Sequence, residues 1–108
     1  MDQIRPEIAN AVNRYKRQLA TMGIRVERVF LFGSQARGEA REGSDIDVIV
    51  VSPDFDRKSV RERAEILGVA AARILEPIQA MGVTPQEVAA SPRAPFLDEV
   101  LTHEAVPL

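Results

Sequence analysis

The sequence predicts an α/β (α+β) chain, a small mixed β-sheet flanked by helices. Three observations carry this. An apolar stripe at helical spacing opens the chain, two short β-branched runs follow with a glycine-rich connection between them, and a second helical stripe lies beyond. At 108 residues the chain has the length of one domain, and residues 1–108 are expected to fold as a single unit without repeat, low-complexity tract or linker.

Ile4, Ile8, Val12, Tyr15, Leu19 and Met22 recur at helical intervals, with Arg14, Lys16, Arg17 and Gln18 on the wet side. Pro6 suits a first turn, where its missing N–H costs nothing, and Gly23 suits a left-handed stop. Arg28 to Phe32 then reads as a buried strand ended by Gly33. Residues 33–45 hold Gly33, Ser34, Gly38, Gly43 and Ser44 among charges, which makes them a loop or short helical turn. Ile46 to Val51 is nearly all β-branched and stops at Ser52-Pro53. Phe55 is expected to fold back over the edge of that strand, and Asp56 or Ser59 to cap a helix whose stripe is Val60, Ala64, Leu67, Ala71 and Ile74.

Ile74 to Ile78 either closes that helix or starts a third strand; Pro77 argues against extending the helix through it, which favours a strand ending near Gln79. Thr84-Pro85-Gln86-Glu87 has a capping Thr, a first-turn Pro and a Glu at the third position, which predicts a short helix over 85–90. A last helix runs from Pro95 to about His103 on Phe96, Leu97 and Val100.

Composition narrows the function. With 45% apolar and 28% charged residues the chain should fold rather than remain disordered. Fourteen basic against sixteen acidic residues leave a net charge of −2, so no positive field exists to hold a long nucleic-acid backbone, and a polymerase is disfavoured. The absence of cysteine removes disulfides, thiolate metal sites and Cys nucleophiles. No apolar run approaches the ~20 residues of a membrane span, and Asp2, Glu7 and Asn10 stand where a signal peptide would be apolar, so the expected location is cytoplasmic.

The chemistry concentrates where the two strands meet. Asp45 and Asp47 are two residues apart at the start of a strand, so they project to one face about 6–7 Å apart. Their repulsion and desolvation call for a cation, and Mg²⁺ is usually held by one or two carboxylates plus substrate phosphates. Gly33-Ser34 supplies the complementary half, a turn with free N–H groups and a hydroxyl for an anion. Phosphate is the natural anion, with Ser44 in the same loop. Arg37 either joins it there or pairs with Glu39. Together these residues describe a site for a nucleoside triphosphate with a divalent metal.

Gly33-Ser34, ten intervening residues, then Asp45-x-Asp47 resembles the two-part motif of the nucleotidyltransferases similar to DNA polymerase beta. The wider strings GSQARG and SDIDVIV look like its minimal nucleotidyltransferase subgroup, small prokaryotic proteins often encoded beside a helical partner called HEPN. The resemblance implies a polymerase-beta-like nucleotidyltransferase fold and two Mg²⁺ ions on Asp45, Asp47 and a third carboxylate, with Gly33 and Ser34 on the phosphates of ATP. It also implies AMP transfer to a protein partner, as in antitoxins that silence a HEPN toxin. The third carboxylate is assigned to Glu76, the only acid in the expected third strand, as metal ligand or general base.

Two rival readings accompany this one. A binding protein would neutralise its partner by contact, and a small-molecule nucleotidyltransferase would need a second subunit, whether a partner or another copy, to complete its pocket. A transferase motif on a chain without room for an acceptor domain favours a protein acceptor. Elsewhere Tyr15 reads as core, His103 as a surface residue at a helix end, and Arg57, Lys58, Arg61 and Arg63 as a solvated helix face. Phe96, Leu97, Val100 and Leu101 offer apolar surface for a partner.

Overall fold

A computed structural model describes residues 4–41 and 43–108. Helix α1 (Pro6–Thr21) leads through Gly23 into β1 (Arg28–Phe32), which passes directly into a one-turn helix α2 (Gly33–Arg37). Strand β2 (Ile46–Val51) and a 3₁₀ turn (Pro53–Phe55) precede α3 (Val60–Ile74) and β3 (Ile78–Val83). Two short helices, α4 (Pro85–Ala89) and α5 (Pro95–His103), and the two-residue β4 (Val106–Pro107) complete the described chain.

The sheet has the order β3-β2-β1-β4. β1 is antiparallel to both β2 and β4, whereas β2 and β3 are parallel, connected through α3. The sheet is therefore mixed, as the sequence predicts. Period-two alternation divides its residues between two apolar layers. Val29, Leu31, Ile46, Val48, Val50 and Ile78 pack with Ile8, Val12, Tyr15 and Leu19 of α1 and Leu67, Ala70 and Ala71 of α3. Phe30, Ile49, Val51 and Val83 pack on the opposite face with Leu97 and Val100 of α5.

Local chemistry explains most boundaries. Pro6 opens α1, and Gly23 at φ 87° closes it with two bonds, Gly23 N–H to Ala20 O and Ile24 N–H to Leu19 O. Of the two expected caps for α3, Ser59 takes the role: its Oγ accepts from Glu62 N–H while the Glu62 carboxylate accepts from Ser59 N–H. Thr84 and Glu87 repeat the arrangement at α4. Tyr15 is fully buried and donates its hydroxyl hydrogen to Leu67 O at 2.8 Å, tying α1 to α3. Phe55 is buried against β3, where Gly82 leaves room for its ring.

Several expectations need correction. The third strand starts at Ile78, close to where it was expected to end, because α3 continues through Ile74 and stops at Leu75 in the left-handed region. Pro77 does limit the helix, but from three residues beyond its end. In the α3 stripe Leu67 and Ala71 are buried, whereas Val60 is 82% exposed. Phe96 is likewise 55% exposed, its ring set edge-on to Phe32, and Leu97 and Val100 hold α5 to the sheet. Arg63 is not solvated: its side chain is 12% exposed and donates to Gly82 O, Lys58 O and Glu87. That guanidinium blocks part of the outer edge of β3, which has no strand partner on that side among the described residues. Strand β4 was not foreseen.

Candidate active site

The antiparallel register brings the halves of the motif together. Phe32, the last residue of β1, pairs with Asp47 near the start of β2, so residue 33 leaves its strand beside Asp47. The long loop between them only returns the chain to the neighbouring strand. Gly33 is required twice over here. Its φ is +72°, and a β-carbon on it would run into the Asp47 carboxylate, whose Cγ lies 3.2 Å from that position. The backbone at 33 forms one wall of the Asp47 carboxylate.

Asp47 belongs to the sheet face that carries Ile49, Val51 and Phe30, and Asp45 precedes it by one alternation on the exposed approach. The Asp47 carboxyl is raised above its ordinary range, first by burial and then by the charge of Asp45, with Glu104 adding to the rise and Arg37 opposing it. This carboxylate environment suits a cation.

On the other wall, the first N–H groups of α2 have no carbonyl partner within the helix, and Ser34 is half-buried beside them. Arg37 takes the second of its two expected options and more. It donates to Glu39 at 2.8 Å and to Glu104, from the turn after α5, at 3.2 Å. The bond to Glu39 and the two nearby carboxylates hold its guanidinium firmly charged. Ser44 faces its own loop, its Oγ accepting from Arg41 N–H at 2.9 Å.

Glu76 stands apart. It lies in the turn before β3, and its carboxylate accepts from Arg14 of α1 at 2.8 Å, while the same guanidinium bonds Ile74 O. The three carboxylates expected together are not brought together, and among the described residues no group of three acidic, His or Cys side chains could hold a metal. Two features account for this: β3 starts after Glu76, and the alternation that sends Ile78 into the α1/α3 layer puts position 76 on the side away from Asp47. The residue of β3 that pairs with Asp47 is Gln79. Sequence reasoning passed over Gln79 and Glu104: the first was placed at a strand end, and no local pattern points to the second.

A cavity of about 400 Å³ lies elsewhere, at the β3 edge between Val60, Leu67, Met81, Val83 and Leu97. It is almost wholly apolar and includes neither aspartate.

The family model described as a nucleotidyltransferase domain matches residues 12–99. A Methanocaldococcus jannaschii protein named "putative protein adenylyltransferase" is 32% identical over 65 residues, 59% of this chain and 64% of that protein's length. The chain thus spans under two thirds of this curated relative. Among solved structures, one from Sulfolobus solfataricus described as a "putative nucleotidyltransferase" has a TM-score of 0.64 at 18% identity, covering 94% of this chain and 78% of its own. A toxin-antitoxin structure with AMP-PNP has a TM-score of 0.60 at 19% identity, covering 88% of this chain and 69% of its own.

Proposed function

The chain belongs to the nucleotidyltransferase domain family, and from that premise we propose that it transfers AMP from ATP to a protein partner, as the antitoxin of a HEPN toxin pair. The observation that carries the reading is Asp47, beside Asp45, packed against the backbone of Gly33 at the mouth of the Gly33-Ser34 turn. A carboxylate pair facing a phosphate-binding turn fits a nucleoside triphosphate with its divalent cation. The relative's name and the AMP-PNP-bound neighbour support the same substrate class.

In this reading Ser34 and the adjacent N–H groups orient the β- and γ-phosphates, and Asp45 and Asp47 face the α-phosphate. A hydroxyl oxygen of the partner bonds to the α-phosphorus as the bond to the β-phosphate bridging oxygen breaks. Pyrophosphate leaves and the hydroxyl proton passes to a base or water. Asp45 and Asp47 would hold a divalent cation there, which would neutralise charge on the attacking and leaving oxygens. Arg37 exchanges Glu104 for phosphate, a swap between two anions that keeps its charge satisfied.

The test is to mix the protein with the protein encoded beside it, ATP and Mg²⁺. An AMP-sized mass gain on the partner is expected, and its loss with Asp47→Asn. No gain under conditions where the two proteins bind overturns transfer. One observation favours a second reading, a nucleotide-binding antitoxin acting by contact: Glu76 is held by Arg14 and supplies no third carboxylate. Neutralisation of the partner by Asp47→Asn as fully as by wild type would select it.

A further inference from the structure

Gln79 stands where one more carboxylate would be most useful. In the parallel ladder Asp47 pairs with Gln79, and neighbouring strands lie about 4.8 Å apart. The alternation of β3 fixes its direction. Ile78 and Ala80 pack in the α1/α3 layer and Gly82 faces Phe55 and Leu67, while Met81 and Val83 join the layer of Ile49 and Leu97. Gln79 therefore shares the Asp47 face, and it is exposed.

We propose that Gln79 completes the Asp45–Asp47 site as a neutral ligand and limits the site to a single resident divalent cation. This rests on the reading of that site as a cation and nucleotide site. Two carboxylates carry a charge of −2, which one divalent ion cancels. A second ion about 4 Å from the first needs further negative charge to offset their mutual repulsion. An amide oxygen coordinates hard cations but brings no charge. Neither Glu104 nor Glu76 adds its charge there: Glu104 is paired with Arg37, and Glu76 lies apart, paired with Arg14. A second ion can then enter only with the charge of the nucleotide's phosphates.

Counting bound Mn²⁺ by electron paramagnetic resonance, without nucleotide, tests this directly. Wild type is expected to bind one ion per chain, Glu76→Gln one with the same affinity, Gln79→Ala one held more weakly, and Gln79→Asp and Gln79→Glu two. The longer glutamate guards against the shorter side chain failing to reach, and circular dichroism confirms folding, which an exposed position should preserve. Two ions on wild type overturn the proposal, as does a count of one for both acidic variants, and either result leaves the nucleotide site standing. Loss of the ion in Glu76→Gln also overturns it. A wild type that binds neither Mn²⁺ alone nor Mn²⁺ with a non-hydrolysable ATP analogue overturns the underlying site reading as well.

Discussion

Asp47 occupies a place that disfavours its own charge. Burial and the neighbouring Asp45 raise its carboxyl above the ordinary 3.8, so the folded chain holds this proton more tightly than the unfolded chain. Between those two values the folded state binds more protons, and stability falls as pH rises through that window. The deficit then persists at neutral pH. Without divalent cation, Asp47→Asn should raise the thermal midpoint at pH 7, with the gain shrinking towards pH 3. An equal or lower midpoint at pH 7 would show that the carboxylate is not strained. The residues legible at this scale were those whose chemistry is local: Gly33, because the turn needs it, and Asp45 and Asp47, because carboxylates opening an apolar strand are conspicuous. Gln79 was not, since an exposed glutamine acquires meaning only from the residue across the ladder.

Helices α3 and α4 open on caps whose parts lie within four residues of one another, and these were readable. In α3 the Ser59 hydroxyl and the Glu62 carboxylate satisfy each other's backbone N–H, and the Ser59 backbone bond, with help from its side chain, keeps the Glu62 carboxyl below its ordinary range. Ser59→Ala should cost about 1 kcal/mol in chemical denaturation. A loss within error of zero would mean that solvent replaces the cap. At α4, burial works to raise the Glu87 carboxyl but is outweighed by Arg63 and by the Thr84 N–H, so this cap joins a tertiary contact. That contact explains why Arg63 was misplaced. Charge on a helix reads as solvated unless an edge carbonyl such as Gly82 O is known to face it. The β3 boundary failed for a related reason. Leu75 holds a left-handed stop that nothing in its side chain announces, so Glu76 was drawn into the strand.

Across the whole molecule, the sheet separates two apolar layers of unequal depth. The α1/α3 layer is broad, while the α5 layer is small and depends on few side chains, chiefly Leu97 and Val100, both 1% exposed. Leu97→Ala should therefore destabilise by about 3 kcal/mol, read as a lower urea midpoint with unchanged slope. A cost under about 1 kcal/mol would mean that α5 docks only loosely. The same layer carries the turn that brings Glu104 to Arg37, so the rim of the candidate site depends on how α5 sits. By itself the sequence determined the helices, the first two strands, the α/β class and the pairing of a glycine-serine turn with two aspartates. Each rests on periodicity, backbone restriction or charge within a short stretch of chain. Only the tertiary structure decided that Glu76 belongs to Arg14, that Gln79 stands beside Asp47 and that Glu104 holds Arg37. Those partnerships join residues 32 to 67 positions apart, and strand register and helix docking bring them together.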